Sequence, residues 1–475
     1  MFLKKFYKNS RVIFFVCSAF YFFFWLKFSG TLDPIKPDSI GYLNFFDGEA
    51  PHRISGYPMF LLFLKNLNFS IAQIAYLQLG IFAIAISFFI NYLVKIGVNK
   101  LVIIIFYIGV IGNPFLNKFH FLILTESLTF SLLIFFIICV ISLRKEITSK
   151  KMILLGIVCG LLAILKPVSI IFTIIGLLFL IFFQFKSHNF FQKILINIFL
   201  IALPIIAILF FENLVFHSQY EQRKSQLTQH LYGKAIMMTT FKEYKVVYDK
   251  SPESKMLELL DTEYNEDQKY LESLKSLQEK IAIFTLLEND AYKHPALEEE
   301  ISLISMNEGL EIEDLKKSIF FKGLRNNPMI FIKMTLRHYF AFFNIKPSAN
   351  FYNEFGGPKH LTNNSIQFSS STSQKAIHNL FLIFGLCFFI FSAYLVFNML
   401  RHAFHNNLYS MLKENNSFFI CVLFFVVAHS IHISHALFGV FVPRYLMLSY
   451  PYILFFELIM IEKIFGYIKS KYIAN

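Results

Sequence analysis

The residues best suited to chemistry lie together near the start of the chain, in the stretch 33–78. A carboxylate there could accept a proton from a hydroxyl group, and a histidine or an arginine could stabilise a developing negative charge. This polar stretch lies between two strongly apolar segments and also contains several prolines and glycines. Its acids, its histidine and its arginine are Asp33, Asp38, Asp47, Glu49, His52 and Arg53.

The composition of the chain identifies the elements that must hold this stretch in place. The 475 residues are 56% hydrophobic and 16% charged, and the mean hydropathy is +0.55. A soluble globular protein carries about 25% charged residues. Apolar runs close to the ~20 residues that cross a bilayer recur along the chain. We therefore expect an all-α polytopic membrane protein.

The net charge of +13 does not point to nucleic acid. Lysine and arginine cluster in short loops beside apolar segments, as the positive-inside rule predicts for a membrane protein. We therefore expect membrane lipids and no nucleic acid among its partners. The cysteines all fall in apolar segments, which argues against a disulfide framework or a CxxC metal site. They are Cys17, Cys139, Cys159, Cys387 and Cys421.

The charges of the loops predict about ten transmembrane helices, with both termini in the cytoplasm. The first outside loop, 31–70, is expected to carry juxtamembrane helices. The predicted location is the cytoplasmic (inner) membrane of a bacterium, with the active site facing outside. The predicted spans cover 12–30, 71–94, 101–113, 122–143, 152–165, 168–185, 194–216, 376–399, 417–434 and 446–465.

The spans divide the chain into three regions. Residues 1–216 are predicted to form a transmembrane catalytic core, 217–375 a mostly helical extracytoplasmic segment, and 376–475 the C-terminal transmembrane helices. Most acids of the chain lie within 252–317, where the charge pattern predicts exposed helices. The next stretch, 324–344, is apolar but interrupted by cations, which favours a helix lying in the membrane interface.

Further ionisable residues lie at the predicted outside ends of the spans, near the depth of a lipid phosphate. Ionisable groups at membrane depth are costly and are candidates for function. This mixture suits the transfer of a sugar from a polyprenyl phosphate, which needs a base for the acceptor hydroxyl and cations for the departing phosphate. These residues are His120, Glu126, Lys166, Arg337, His338, His435 and Arg444.

Several short motifs carry a resemblance to a known family. PDSIGYL at 37–43, RISGYPMFLLFL at 53–64 and Gln78 resemble the first outside loop and second span of the GT-C superfamily of membrane glycosyltransferases. The similarity is to the protein O-mannosyltransferase-like and aminoarabinose-transferase-like branch. Further similar motifs are LTESLTF at 124–130, Lys166-Pro167, NPMIFIKMTLRHYF at 327–340 and PRYLMLSYPYILF at 443–455.

The resemblance implies an inverting transfer from a polyprenyl-phosphate sugar donor, with Asp38 as the general base. The family often has a second acid next to the first, whereas Ser39 follows Asp38 here. This departure puts a paired-carboxylate site or a tightly bound metal in question. No cofactor is firmly expected, and a divalent metal is an alternative source of positive charge. The sugar is not specified, and the acceptor is a lipid, a glycan or a protein.

Each candidate also has a structural interpretation. Pro37-Asp38-Ser39 predicts a helix start with Asp38 or Ser39 as the N-cap, so Asp38 is either the catalytic base or only that N-cap. Glu126 is either a second catalytic acid or a carboxylate stabilised by the dipole at a helix N-terminus. Arg53, Lys166 and Arg444 either bind the donor phosphate or anchor at the lipid headgroups. Other candidates are Asp33, His52, Tyr57, His120, Arg337, His338 and His435.

For these other candidates the structural interpretations are simple ones. Asp33 precedes a proline and suits a turn, and Tyr57 lies in a Gly-Tyr-Pro turn that enters the next helix. Scattered histidines at a membrane interface are usually structural, and we expect no metal site from them.

Two other functions fit a chain with many spans. An O-antigen polymerase or ligase would use a diphosphate-linked donor and carry arginines in a late outside loop, whereas the late loop here is acidic. A lipid or solute transporter would place charges and broken helices near the bilayer midplane. The charges of this chain lie at the span ends instead, which favours the glycosyltransferase.

Overall fold

All regular secondary structure that a computed structural model describes in this chain is helical. The described residues are 10–27, 34–185, 189–221, 226–263, 269, 272–273, 295–341, 372–405, 407–438 and 443–472. The helices up to residue 217 are α1 (Ser10–Leu26), α2 (Pro37–Leu43), α3 (Gly56–Asn66), α4 (Ile71–Lys95), α5 (Lys100–Ile111), α6 (Pro114–Asn117), α7 (Glu126–Lys145), α8 (Ser149–Leu165), α9 (Ile170–Gln184) and α10 (Phe190–His217).

The remaining helices follow the same numbering. They are α11 (Gln226–Thr239), α12 (Pro252–Glu263), α13 (Pro295–Glu308), α14 (Ile312–Asn326), α15 (Pro328–Ala341), α16 (Thr372–Phe404), α17 (Leu408–Glu414), α18 (Asn416–Phe438) and α19 (Pro443–Tyr472). Short 3-10 turns add Phe45–Asp47, Lys118–His120 and Pro167–Ser169.

The prediction of an all-α membrane protein is confirmed. Among the described residues, six helical segments are long and apolar enough to cross a membrane, and α1 and α5 add shorter apolar helices. A helix satisfies its own backbone hydrogen bonds, as a span in lipid must. Each of the ten predicted spans coincides with a helix, but that all ten cross the bilayer stays a prediction. The six are Ile71–Lys95, Glu126–Lys145, Pro167–Gln184, Phe190–His217, Ile383–Phe404 and Asn416–Leu437.

Burial separates the spans that build the interior from those that face outward. Most of α7 is buried, whereas most of α10 is exposed along its apolar length. One face of α10 nevertheless packs closely on α8, where Gly156 and Gly160 are four residues apart. A Cβ added at Gly156 would lie 2.4 Å from the carbonyl oxygen of Ile201. Small residues at this spacing let two helix backbones approach, which fixes α10 against α8.

The described residues fall into two compact units. The first unit comprises those within Met1–Gln222, Phe388–Ser430 and Met447–Asn475. The second unit comprises those within Arg223–Cys387 and Ile431–Leu446.

The second unit has a hydrophobic core of its own. Its helices α11 to α15 bury residues such as Met238, Leu257 and Ile319 in one cluster. The charged helices predicted within 252–317 are present where the chain is described, and they are amphipathic rather than exposed on all sides. Charge pattern alone did not separate these two cases, because the apolar residues are dispersed among many acids.

The stretch predicted as one interfacial helix, 324–344, is divided in two. Helix α14 ends at Asn326 and α15 begins at Pro328, because a proline ring disfavours helical backbone in the residue before it. Asn327 bridges the break, with its side-chain amide bonded to the backbone of Lys245 at 3.0 and 3.1 Å. The Gly- and Ser-rich stretch at 355–374, whose composition predicts a flexible loop, lies mostly outside the described residues.

The described part of 31–70 contains the helices α2 and α3. That this stretch is an outside loop and that its helices lie at the membrane surface stay predictions. Helix α2 begins at Pro37, but the predicted N-cap is wrong. The N-cap is Lys36, whose backbone N–H donates to Ser39 Oγ at 3.0 Å. Asp38 is therefore a residue of the first helical turn, and its carboxylate is available for a partner elsewhere.

Candidate functional site

Asp38 and Arg53 form an ion pair between α2 and the segment that precedes α3. Arg53 Nη2 lies 2.9 Å from Asp38 Oδ1, and Arg53 Nη1 donates to the Tyr42 hydroxyl at 3.2 Å. The guanidinium also lies over the Tyr42 ring, 4.5 Å from its centroid. The side chain of Arg53 is 12% exposed and that of Asp38 is 37% exposed. The arginine is thus held from two sides while its carboxylate partner remains accessible.

A Cβ at residue 41 would crowd this arginine. Built on Gly41, it would lie 3.2 Å from Arg53 Nε. The glycine of the PDSIGYL motif therefore lets the guanidinium lie directly against α2.

The backbone on both sides of Arg53 is bound to residues of α10 and the turn after it. The backbone N–H of Ser55 donates to Glu212 Oε1 at 3.0 Å, and Ser55 Oγ lies 3.0 Å from the same oxygen. On the other side, the backbone N–H of Ala50 donates to the Tyr220 hydroxyl at 3.0 Å. The segment that carries Arg53 is consequently fixed by residues more than 150 positions later in the sequence.

Glu126 and Lys166 form a second ion pair, deeper in the unit. Lys166 Nζ lies 3.6 Å from Glu126 Oε1, and the two side chains are 11% and 3% exposed. Glu126 is the first residue of α7, where the helix dipole favours a negative charge, and Lys166 follows the last residue of α8. Both predicted residues therefore belong to one buried site.

Tyr57 packs against Tyr42, the residue that binds Arg53. Its ring meets that of Tyr42 edge-on, with the centroids 5.1 Å apart, and its hydroxyl donates to Gln78 Oε1 at 2.8 Å. Burial raises the pKa of Tyr57 well above its usual range, and the proximity of Tyr42 and of the Glu126 carboxylate raises this pKa further. Tyr57 is therefore close enough to Glu126 to respond to its charge.

The residues just before α7 are tied to the residues before α2 and to α4. The backbone N–H of Ile123 donates to the carbonyl of Pro34 at 3.0 Å. Gln78 Nε2, in α4, donates to the carbonyl of Leu122 at 2.9 Å. The first bond sets the chain that enters α7 beside the chain that enters α2.

His120 lies in an aromatic environment beside this site. Its Nδ1 lies 2.8 Å from Ser127 Oγ, and its ring stacks on Phe82 with the centroids 4.2 Å apart. Its Nε2 is buried and has no hydrogen-bond partner among the described residues. Burial lowers the pKa of His120 to about 3, so the ring is neutral at physiological pH.

Other predicted residues lie in the second unit. Arg337 lies over the Phe241 ring at 4.6 Å, and His338 Nδ1 is 2.6 Å from Lys234 Nζ. His435 is buried, with its Nδ1 2.7 Å from the carbonyl oxygen of Ile431 in its own helix. These contacts are all made within the second unit, so they give no direct support to a role beside Asp38.

The remaining predicted residues are only partly described. His52 precedes Arg53 and is half-buried. Asp33 lies outside the described residues, and Arg444 belongs to α19 but its side chain lies outside them. Among the described side chains, no three of the types His, Cys, Asp and Glu lie close enough together to hold a metal ion. The expectation concerning a divalent metal therefore stays a prediction.

Tyr42, Ser55 and Glu212 were not singled out from the sequence. Glu212 carried a usable signal, because it is the single acid in the apolar run of α10 and ionisable residues in spans are functional candidates. Tyr42 and Ser55 carried none, because tyrosine and serine are common in loops.

The first unit thus holds a partly exposed carboxylate with its fixed arginine, and a buried carboxylate–ammonium pair. Such a set can accept a proton and bind an anion. No protein-family model, curated protein or solved structure was found to match this chain.

Proposed function

We propose that this chain is a membrane glycosyltransferase that moves a sugar from a polyprenyl-phosphate donor to an acceptor hydroxyl. The reaction takes place at the outer, periplasmic face of a bacterial cytoplasmic membrane and inverts the anomeric carbon. The acceptor is a lipid, a glycan or a protein. Ten spans with both ends in the cytoplasm, as the loop charges predict, place the first loop on this outer face.

The observation that carries the proposal is the pair of Asp38 with Arg53. Its carboxylate is 37% exposed, whereas its arginine is 12% exposed and bound to Tyr42 as well. A planar guanidinium can exchange a carboxylate for a phosphate with similar geometry. Donor phosphate at Arg53 would therefore release Asp38 from its partner at the place where the acceptor hydroxyl must lose a proton.

The proposed reaction needs no reactant besides the donor and the acceptor. The acceptor oxygen forms a bond to the anomeric carbon while the bond from that carbon to the phosphate oxygen breaks. Asp38 takes the hydroxyl proton, and the departing polyprenyl phosphate keeps the electron pair. Arg53 and Lys166 are the cations proposed to stabilise its negative charge.

Glu126 and Tyr57 take supporting roles in this scheme. The Glu126 carboxylate lies 3.6 Å from the Lys166 ammonium, and Tyr57 packs edge-on against Tyr42, which binds Arg53. The motifs that resemble GT-C glycosyltransferases contribute Asp38, Arg53, Tyr57, Gln78, Glu126 and Lys166. The structure pairs residues of separate motifs, Asp38 with Arg53, Tyr57 with Gln78 and Glu126 with Lys166. This pairing supports the proposal independently of the resemblance.

The test is a transfer assay with the full chain in proteoliposomes, using a panel of polyprenyl-phosphate sugars as donors. We expect Asp38→Asn to reduce the rate by roughly 10²–10⁴-fold, the usual contribution of a general base. Asp47→Asn is the matched control, because Asp47 is an exposed acid of the same loop. Near-normal transfer by Asp38→Asn would refute its role. Transfer from diphosphate-linked donors alone would instead identify a polymerase or ligase.

A further inference from the structure

A row of side chains from α10 and the turn after it faces the segment that carries Arg53. Glu212 and Phe216 are four residues apart in α10 and so lie on one side of it. Tyr220 lies in the turn after α10, and its ring stacks on that of Phe216 with the centroids 5.1 Å apart. Glu212 binds Ser55, and Tyr220 binds Ala50 through its hydroxyl. Phe216 packs between them against Phe45, with the ring centroids 6.2 Å apart.

Glu212 is the charged member of this row, and its environment makes the contact specific. The side chain is 3% exposed and Ser55 is fully buried. The hydroxyl of Ser55 has a second acceptor in the carbonyl oxygen of Glu212, at 3.2 Å. A buried carboxylate that accepts a backbone N–H forms a charge-assisted hydrogen bond, which is stronger than a neutral one.

Gly56, the residue after Ser55, packs closely against α8. A Cβ built on Gly56 would lie 2.3 Å from the carbonyl oxygen of Ile164, near the end of α8. Residues 50–56 are thus held by the α10 row on one side and by α8 on the other. Helix α8 ends directly before Lys166, so the segment that carries Arg53 packs against the helix that leads into Lys166.

We infer that Glu212 is a positioning residue that fixes the Arg53 segment for contact with an anionic phosphate on a lipid. It acts through the backbone of Ser55, two residues after Arg53, and does not itself touch the reacting atoms. Loss of this support should therefore weaken the contact of Arg53 with the phosphate. The assignment of a phosphate to Arg53 rests on the proposed function, whereas the mechanical role of Glu212 does not.

The mechanical role is tested by the reactivity of a reporter cysteine next to Arg53. Ile54→Cys places a thiol in the half-buried segment and leaves Arg53 intact, while Asp47→Cys places a control thiol at an exposed site of the same loop. In the full chain in membranes, an impermeant maleimide should label Ile54→Cys about tenfold faster when Glu212→Ala is added, because the segment opens locally. Labelling of Asp47→Cys should not change.

Two further variants separate positioning from a general loss of folding. Glu212→Gln keeps an acceptor oxygen for the Ser55 N–H and should restore slow labelling. Ser55→Ala removes the hydroxyl but keeps the backbone bond, so its effect should be smaller than that of Glu212→Ala. An unchanged labelling rate of Ile54→Cys with Glu212→Ala, or an equal increase at both reporter positions, overturns the inference.

The link to phosphate is tested with undecaprenyl phosphate as the probe. Glu212→Ala should raise the Kd of the solubilised full chain for this lipid about tenfold, and Glu212→Gln should recover most of the affinity. In transfer assays, the donor KM should rise while the acceptor KM stays constant. A lower kcat at constant donor KM would overturn the positioning role, since a fold defect reduces only the active fraction. Failure of the unmodified chain to bind the probe would refute the proposed function, and the labelling result would still decide the role of Glu212.

Discussion

The two ion pairs of the first unit use the same chemistry in opposite surroundings. Arg53 and Asp38 are 2.9 Å apart, and the acid of this pair is 37% exposed. Lys166 and Glu126 are 3.6 Å apart, and the acid of this pair is 3% exposed. The shorter contact is therefore the more accessible one. The shorter distance does not identify the pair that matters more for stability. The loss of stability when a pair is broken depends mainly on how strongly the remaining charge is desolvated.

Because of this difference, the two ion pairs are suited to different roles. The two cations are about equally buried, at 12% and 11% exposure, so the contrast lies in the acids. Water can reach the partly exposed Asp38 carboxylate, and a pair open to solvent contributes about 0–1 kcal/mol to stability, so Asp38 can leave Arg53 with little effect on the fold. Breaking a buried pair is far more costly, because the remaining charge keeps its desolvation penalty. The Asp38–Arg53 pair is thus suited to exchange partners with a substrate, and the Glu126–Lys166 pair is suited to hold the frame behind it.

The sharpest test removes one negative charge from the buried pair. Glu126→Gln leaves the Lys166 ammonium buried without its carboxylate, and we expect a loss of about 3–5 kcal/mol in the free energy of unfolding. The lysine can reduce this loss only by giving up its proton. Thermal unfolding of the detergent-solubilised chain measures the change as a lower melting temperature.

The double variant Glu126→Gln with Lys166→Met is the matching control. It removes both charges at similar volume, and it should recover most of the stability lost by the single variant. If Glu126→Gln alone melts like the unmodified chain, the Glu126–Lys166 pair does not support the fold, and the contrast between the two pairs disappears.

A second test uses the neutral histidine beside the buried pair. His120 has its pKa lowered from 6.5 to about 3 by burial, so the unfolded chain binds a proton more readily than the folded chain below pH 6.5. Stability should therefore be unaffected by this residue above about pH 6.5 and should fall as the pH decreases. Between pH 7 and pH 5 the expected loss is about 2 kcal/mol.

His120→Asn isolates this contribution, because asparagine can still bond to Ser127 but does not titrate. The melting temperature of His120→Asn should depend less on pH than that of the unmodified chain, and the two should differ mainly below pH 6.5. If the melting temperatures of the two proteins change with pH in parallel, the folded chain protonates His120 as readily as the unfolded chain does.

The helices and the polar stretch were accessible to sequence reasoning, and the pairing within the site was not. The ten apolar runs each coincide with a helix, because length and hydropathy are properties of single segments. The partner of Asp38 depends on the fold of the loop, and that of Glu126 on the packing of α7 against α8. No spacing in the sequence encodes either distance. Glu212 shows the limit most clearly, since its target Ser55 is 157 positions away.

The amphipathic second unit adds a related lesson. Its acids predicted exposed helices, yet Met256, Leu257 and Leu260 are fully buried in its core. One apolar side of a helix is enough to build a core, and a high density of charges on the other side conceals it. Helix α10 of the first unit shows the opposite case. Its single acid, Glu212, forms the contact with Ser55, and the surrounding apolar residues conceal it in the sequence.

The smallest expected effect completes the contrast between the pairs. Asp38→Asn is the same chemical change as Glu126→Gln, since each replaces a carboxylate by its amide, but it affects the half-exposed pair. Arg53 keeps its bond to Tyr42, and water can replace the lost carboxylate, so we expect the free energy of unfolding to fall by less than about 1 kcal/mol. Thermal unfolding of both variants in the same detergent measures the difference directly.

Equal destabilisation by the two amides would mean that Asp38 supports the fold, and its loss of transfer activity would then have a structural cause. A melting temperature close to that of the unmodified chain, together with lost transfer, would place the effect of Asp38 in the chemistry of the site.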